Sequence, residues 1–300
     1  MKTTVSICVY ILVTSSFTLG PLTPLSAAND NKISSNDWVF IDNGQIRLGV
    51  IKSSGAGIGY LSSSNSKTNL LDHYDRGRLI QQSYYGGKDG SLWNGKPWNW
   101  NPVQGGGYRN EGSKVAELRT TPDTLYAKTI PTHWATGASL TNVAMEEWIT
   151  LTGRVAKVHF KMTYTGSETH PVTHQEIPAI FLAPELDTLV LYDGKAPWTG
   201  APLSRSQPGF PNEGRTISEH WAAYVNTNNV GLGSYVPVAD KITCYRYRAK
   251  GTSLSACSYL APLTEFAIKP GTIFEYDVFL VPGTVDIIRQ TFEALHKAPH

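Results

Sequence analysis

Apolar and polar residues alternate along most of this chain, and β-branched and aromatic side chains carry the alternation. A period of two marks strands with one buried face. Strands are predicted on that pattern over residues 38–51, 79–85, 125–130, 145–151, 155–164, 180–192, 220–225, 231–235 and 274–281. Turn chemistry such as Asp42-Asn43-Gly44, Thr152-Gly153 and Pro270-Gly271 falls between them, as hairpin connections require. Helical spacing returns only over residues 286–297, where Ile287, Ile288, Phe292 and Leu295 share a face. The predicted fold is all-β, a large antiparallel β-sandwich closed by one short C-terminal helix.

The first residues break this pattern. Met1-Lys2 precedes an apolar run over residues 5–19, and Ser26-Ala27-Ala28 follows it, which reads as a signal peptide over 1–28. The protein is therefore expected to be secreted or periplasmic, with residues 29–300 forming a single β-sandwich domain. No later stretch stays apolar for the roughly 18 residues of a membrane helix, so no membrane span is predicted. Cys8 leaves with the leader. Cys244 and Cys257 remain as a pair in an oxidising compartment, and a disulfide between them is expected. Two thiols are too few for zinc. No metal or other cofactor is called for. The formal charge of +2 is spread among interleaved acids and bases and gives no broad basic face, which excludes nucleic acid as a main partner.

Eight Trp and fifteen Tyr, many beside Asn, Gln and Gly, change the picture from a plain sandwich to one with a sugar-contacting surface. In the segment from Asp75-Arg76-Gly77-Arg78 to Tyr84-Tyr85, a strand places Gln82 and Tyr84 on one face and Gln81, Ser83 and Tyr85 on the other. These amides, phenols and guanidinium groups suit sugar hydroxyls and carboxylates. The glycine-rich stretch over residues 86–112, expected to be a long ligand-contacting loop, carries Trp93, Trp98 and Trp100 with Asn101 and Gln104, flat rings for stacking beside amides. Trp221 sits beside His220 and adds a further indole. His174 and Glu176 lie two apart, on one face of an extended chain, where an imidazole and a carboxyl can share a proton-transfer task. Glu146 and Glu147 point to opposite faces of their strand, so one of them is directed inward.

The stretches Asp75 to Tyr85, Asn101-Pro102-Val103-Gln104-Gly105-Gly106, His174-Gln175-Glu176-Ile177-Pro178-Ala179 and Trp221-Ala222-Ala223-Tyr224-Val225 together resemble a group of exported proteins from polysaccharide-degrading bacteria. The architecture resembles the galactose mutarotase-like β-supersandwich, which serves epimerases, polysaccharide lyases and domains of glycoside hydrolases. In mutarotases a histidine and a glutamate move the proton, and His174 and Glu176 are the nearest match. The motif that surrounds the mutarotase histidine is absent here.

Three functions stay open, all with a polysaccharide or oligosaccharide as the ligand. A glycoside hydrolase needs two carboxyls flanking the bond, and Glu176 with Glu147 is the pair expected, with Glu146 as substitute. A polysaccharide lyase acting on a uronic-acid glycan would use Tyr84 or Tyr85 and His174 as bases, with Arg76, Arg78 and Gln82 holding the carboxylate. A non-catalytic binding protein would use only Trp93, Trp98 and Trp100. Cleavage, with hydrolysis slightly ahead, is the expectation carried forward.

Overall fold

The computed structural model of the chain describes residues 34–248 and 255–298. The predicted signal peptide lies outside the described residues. Two large antiparallel sheets dominate. The nine-stranded sheet runs in the order Ser204–Ser206, Thr188–Leu191, Trp221–Val225, Val230–Tyr235, Ile273–Thr284, Val155–Tyr164, Val143–Thr152, Thr124–Ile130, Lys114–Thr120. The seven-stranded sheet runs Thr132–His133, Pro102–Val103, Gln81–Ser83, Thr173–Leu182, Cys257–Phe266, Lys241–Tyr247, Glu213–Thr216. A three-stranded sheet, Trp38–Asp42, Ile46–Ile51 and Gly57–Ser63, and the hairpin Lys88–Trp93/Lys96–Asn99 complete the β-structure.

Alternation decides which side chains meet. Met145, Ile149, Val158, Phe160 and Met162 of the larger sheet pack with Ile180, Leu182, Ile242, Cys244 and Leu260 of the smaller one in a single core. Apolar burial of this kind is the main force holding two such layers together. On its other face the larger sheet buries Trp221, Val225, Tyr235 and Val281 beneath the C-terminal helix Val285–Lys297, which contributes Val285, Ile288 and Phe292. Thr284 caps that helix by accepting from the Ile287 amide at 3.4 Å, and Asp286 and Lys297 sit at the ends where the helix dipole favours them. The helix and the sandwich are as the sequence pattern predicts. No helix among the described residues is long and apolar enough to cross a membrane.

Three expectations are corrected. The predicted 180–192 strand is two strands in different sheets, because the chain turns at Ala183-Pro184-Glu185, with the Leu186 amide bonded to the Ala183 carbonyl at 3.0 Å. Its first half starts earlier, at Thr173, and absorbs Pro178 at a register shift between Glu176 and Ile180, a bulge being one of the few places where a sheet tolerates proline. The stretch over 86–112 is not a bare loop: it contains a hairpin and a short strand of the seven-stranded sheet.

The third correction concerns the cysteines. Cys244 and Cys257 are buried free thiols, with no disulfide between them. They lie on paired strands, but Cys244 is opposite Leu260 and Cys257 opposite Tyr247. The offset of three residues separates them by roughly 10 Å along the strands and turns them to opposite faces, beyond the roughly 7 Å Cα separation a disulfide can span. Burial raises both thiols, Cys244 to about 11 and Cys257 to about 12, so neither behaves as a reactive thiolate.

Candidate functional site

The outward face of the seven-stranded sheet forms the floor of a cleft of about 910 Å³. Glu176 lies at its centre, on the fourth of the seven strands. Its carboxyl is nearly buried, and Oε1 accepts from Tyr259 Oη at 2.6 Å and from Tyr85 Oη at 3.1 Å. Burial raises the Glu176 pKa, and the hydrogen bonds from Tyr259, Tyr85 and Ser83 offset part of that rise. Both phenols are themselves pushed well up, by burial first and then by the neighbouring Glu176 charge.

Local structure fixes this arrangement. Glu176 is paired with Ser83 on one side and Leu263 on the other, so the alternation brings Ser83, Glu176 and Leu263 to one face. Past Ser83 the strand stops, and the Gln175 amide takes over its pairing. Gln175 Oε1 accepts from the Tyr85 amide at 2.7 Å and Nε2 donates to the Tyr85 carbonyl at 2.9 Å. That clamp aims the Tyr85 ring at Glu176. Next along the same face, His174 stands opposite Glu265, and both line the cleft.

An aromatic wall rises at one edge. Trp93 and Trp98 of the hairpin lie 4.8 Å apart, Trp134 is 6.4 Å from Trp93, and Tyr108 is 6.1 Å from Trp134. Asn101 Oδ1 accepts from the Trp98 indole at 3.2 Å while its Nδ2 donates to the Tyr84 carbonyl at 2.7 Å, which ties the ring to the sheet. Asp89 bonds His133 at 2.7 Å and anchors the hairpin to the edge strand. Arg78 also lines the cleft, but its guanidinium is engaged by Asp72 at 3.6 Å, Asp75 at 3.4 Å and the Ser255 carbonyl. Among the described residues no three His, Cys, Asp or Glu side chains are grouped as metal ligands.

The structure brings Glu176, His174, Tyr85, Arg78, Trp93, Trp98 and Asn101 together in the cleft. It places the other sequence-derived candidates elsewhere. Tyr84 is fully buried in the core, with Oη donating to Gln82 Oε1 at 3.0 Å, and Gln82 in turn donates to the Glu146 carbonyl at 3.1 Å. Glu147 is fully buried between the sheets, where Gln104 Nε2 donates to its Oε2 at 3.0 Å and Oε1 has no partner. Burial raises its pKa to about 8. Glu147 is therefore under the floor of the cleft rather than across it from Glu176. Trp100 stacks on His170 at 4.0 Å inside the domain, and Trp221 donates to Glu219 at 2.9 Å beneath the helix. Arg76 holds loops together through the carbonyls of Ser53 and Asn110. The glycines of residues 105–107 serve internal packing too, since a Cβ at Gly105 would collide with the Arg76 carbonyl.

Tyr259, Tyr245, Glu265, Trp134 and Tyr108 line the cleft without having been singled out as site residues. For Tyr259 and Glu265 the missing signal was alternation over the Cys257–Phe266 strand.

No protein-family model and no curated protein sequence matches the chain. Solved structures do match in fold. A galactose mutarotase related enzyme from Lactobacillus acidophilus aligns over 82% of this chain and 97% of its own, with a TM-score of 0.55 and 12% identity. A putative aldose 1-epimerase from Escherichia coli K12 aligns over 83% and 99%, with a TM-score of 0.53 and 13% identity. An alpha-galactosidase from Lactobacillus brevis aligns over 84% of this chain and 40% of its own, with a TM-score of 0.51 and 9% identity. The fold is thus galactose mutarotase-like, a fold found in carbohydrate-acting proteins, and at such identities the likeness establishes the fold alone.

Proposed function

We propose that this protein is an exported enzyme that cleaves a neutral polysaccharide by hydrolysis, with Glu176 as the proton-donating carboxyl. The observation that carries this reading is the buried Glu176 carboxyl at the centre of an aromatic-walled cleft, with Oε1 held by two phenols. Burial raises the pKa of this carboxyl, the direction that suits a group donating a proton to a leaving glycosidic oxygen. The second carboxyl is Glu265, exposed on the neighbouring strand and diagonal to Glu176 on the same face. Diagonal cross-strand neighbours lie about 7–8 Å apart with their Cβ atoms somewhat closer, a spacing from which two glutamate side chains can reach the roughly 5–9.5 Å between carboxyls in glycosidases.

Neutral glycan is favoured over uronate by the charges of the cleft. Asp75, Glu176 and Glu265 line it, and its guanidinium is already paired with two carboxylates. Burial and Glu176 push Tyr85 and Tyr259 away from the range in which a phenol acts as a base, which counts against elimination.

The test is incubation of the protein with neutral and uronic-acid polysaccharides, following reducing ends and the absorbance of unsaturated uronates together. New reducing ends without absorbance are expected. Both signals together would replace hydrolysis with elimination, and retention on a glycan without either signal would leave a binding protein.

A further inference from the structure

The aromatic rings of the cleft do not stop at the tryptophan wall. On the other side of Glu176, Tyr259 stacks on Tyr245 at 4.6 Å, and Phe210 packs edge-on against Tyr245 at 5.4 Å and lies 5.5 Å from Tyr247. Phe210 is 63% exposed, the most outward-facing phenylalanine of the described residues, so its ring is free to meet a ligand. Its segment is fixed to the sheet by the Arg246 amide, which donates to the Gly209 carbonyl at 3.1 Å. The track therefore runs Trp134, Trp93, Trp98, Tyr85, then Glu176, then Tyr259, Tyr245, Phe210, with each ring within 6.5 Å of the next on its side of the carboxyl.

Sheet order gives this track its meaning. The strand of Glu176 has three strands on each side. Trp134 follows the strand at one edge, and Phe210 precedes the strand at the other. At about 4.8 Å per strand, each flank extends roughly 14 Å from the carboxyl. Phe210 itself stands just past the residues that line the cleft, against Tyr245, which does line it, and the polar side chains of Asn212 and Thr243 line the cleft on that side. Rings flanked by amide and hydroxyl groups on both sides of one carboxyl fit a chain of sugars that passes across the site.

We propose that Phe210 and Tyr245 form a second sugar-stacking subsite, opposite the tryptophan wall, so that the cleft holds the interior of a glycan chain and cuts it internally. This rests on the reading of Glu176 as the group at which the chain is cut. A cleft built for a chain end would be closed on one side, whereas here both edges of the sheet carry aromatic platforms.

The test separates binding from turnover. Glu176→Gln, alone and combined with Phe210→Ala, Phe210→Trp or Trp98→Ala, is run through native gels containing soluble β-glucan, galactomannan, arabinoxylan or dextran. At least one polysaccharide should retard the parent. On it, Phe210→Ala and Trp98→Ala should each weaken binding by about tenfold, the scale of one lost stacking platform, and Phe210→Trp should restore it. Equal retardation of parent and Phe210→Ala in every gel overturns the second subsite, as does no retardation of the parent in any of the four. Because Phe210 is exposed, an unchanged melting temperature for Phe210→Ala is the expected control. With the wild type, viscosity should fall well before reducing ends accumulate. Reducing ends with no early fall in viscosity would overturn internal cutting while leaving Glu176 in its role, and reducing ends that never appear would remove hydrolysis while the gels still decide the subsite.

Discussion

Tyr259 donates a 2.6 Å hydrogen bond to Glu176 across the pair of strands that forms the centre of the cleft floor. The bond acts on the ionised carboxyl, so it lowers a pKa that burial has raised. Tyr259→Phe removes that donor and leaves the burial. The limb of the pH–rate profile governed by Glu176 should then move to higher pH. An unmoved limb in a folded Tyr259→Phe protein would detach Glu176 from the rate-controlling proton transfer.

The two neighbouring tryptophans Trp98 and Trp100 should separate cleanly. Trp98 lines the cleft, and Trp98→Ala should weaken glycan binding by about 1–3 kcal/mol with little change in melting temperature, given what covering an aromatic ring is worth. Trp100 is 7% exposed and packs against His170 and Tyr164, so Trp100→Ala should instead cost about 3–5 kcal/mol of stability. Titration against polysaccharide and thermal melting of both variants check this. Reversed effects would move the wall of the cleft.

Glu147 makes a prediction about pH and stability. Its pKa is raised from 4.5 to about 8 by burial, so the folded state holds a proton that the unfolded chain releases. The contribution is fully present below pH 4.5 and is lost as pH rises through about 8, at up to ~1.4 kcal/mol per pH unit. Glu147→Gln keeps an amide beside Gln104 and removes the titration. Melting curves across that window should be flatter for the variant than for the wild type, and parallel curves would contradict the buried, protonated carboxyl.

The cysteines offer a chemical check. Unfolded without reductant, the described domain should show two thiols from Cys244 and Cys257, and reductant should leave the melting temperature unchanged. Finding no thiols would restore the bridge that their register argues against.

What the sequence discloses follows from how far a physical signal reaches. Period-two alternation is local, so the sandwich and most of its strands are legible, and the Thr284-capped helix stands out against them by its different period. The face that each strand turns to the core is not local. Gln82 and Tyr84 carry the same chemistry as Ser83 and Tyr85, but only pairing with Glu176 on the next strand decides which set meets the cleft. Trp100 and Trp221 match the ligand-loop composition and end as core, because an indole is as useful for packing as for stacking on sugar. Tyr259 lies on the Cys257–Phe266 strand, which is absent from the predicted strands, so its side chain had no assigned face.

The role of Glu176 is tested most directly by comparing Glu176→Gln with the wild type on one cleavable neutral polysaccharide, measuring reducing ends and retardation in the same preparation. Turnover should fall by at least about 10²-fold, the usual scale for losing a general acid, with glycan retardation retained. Turnover close to wild type in the folded variant would contradict that role.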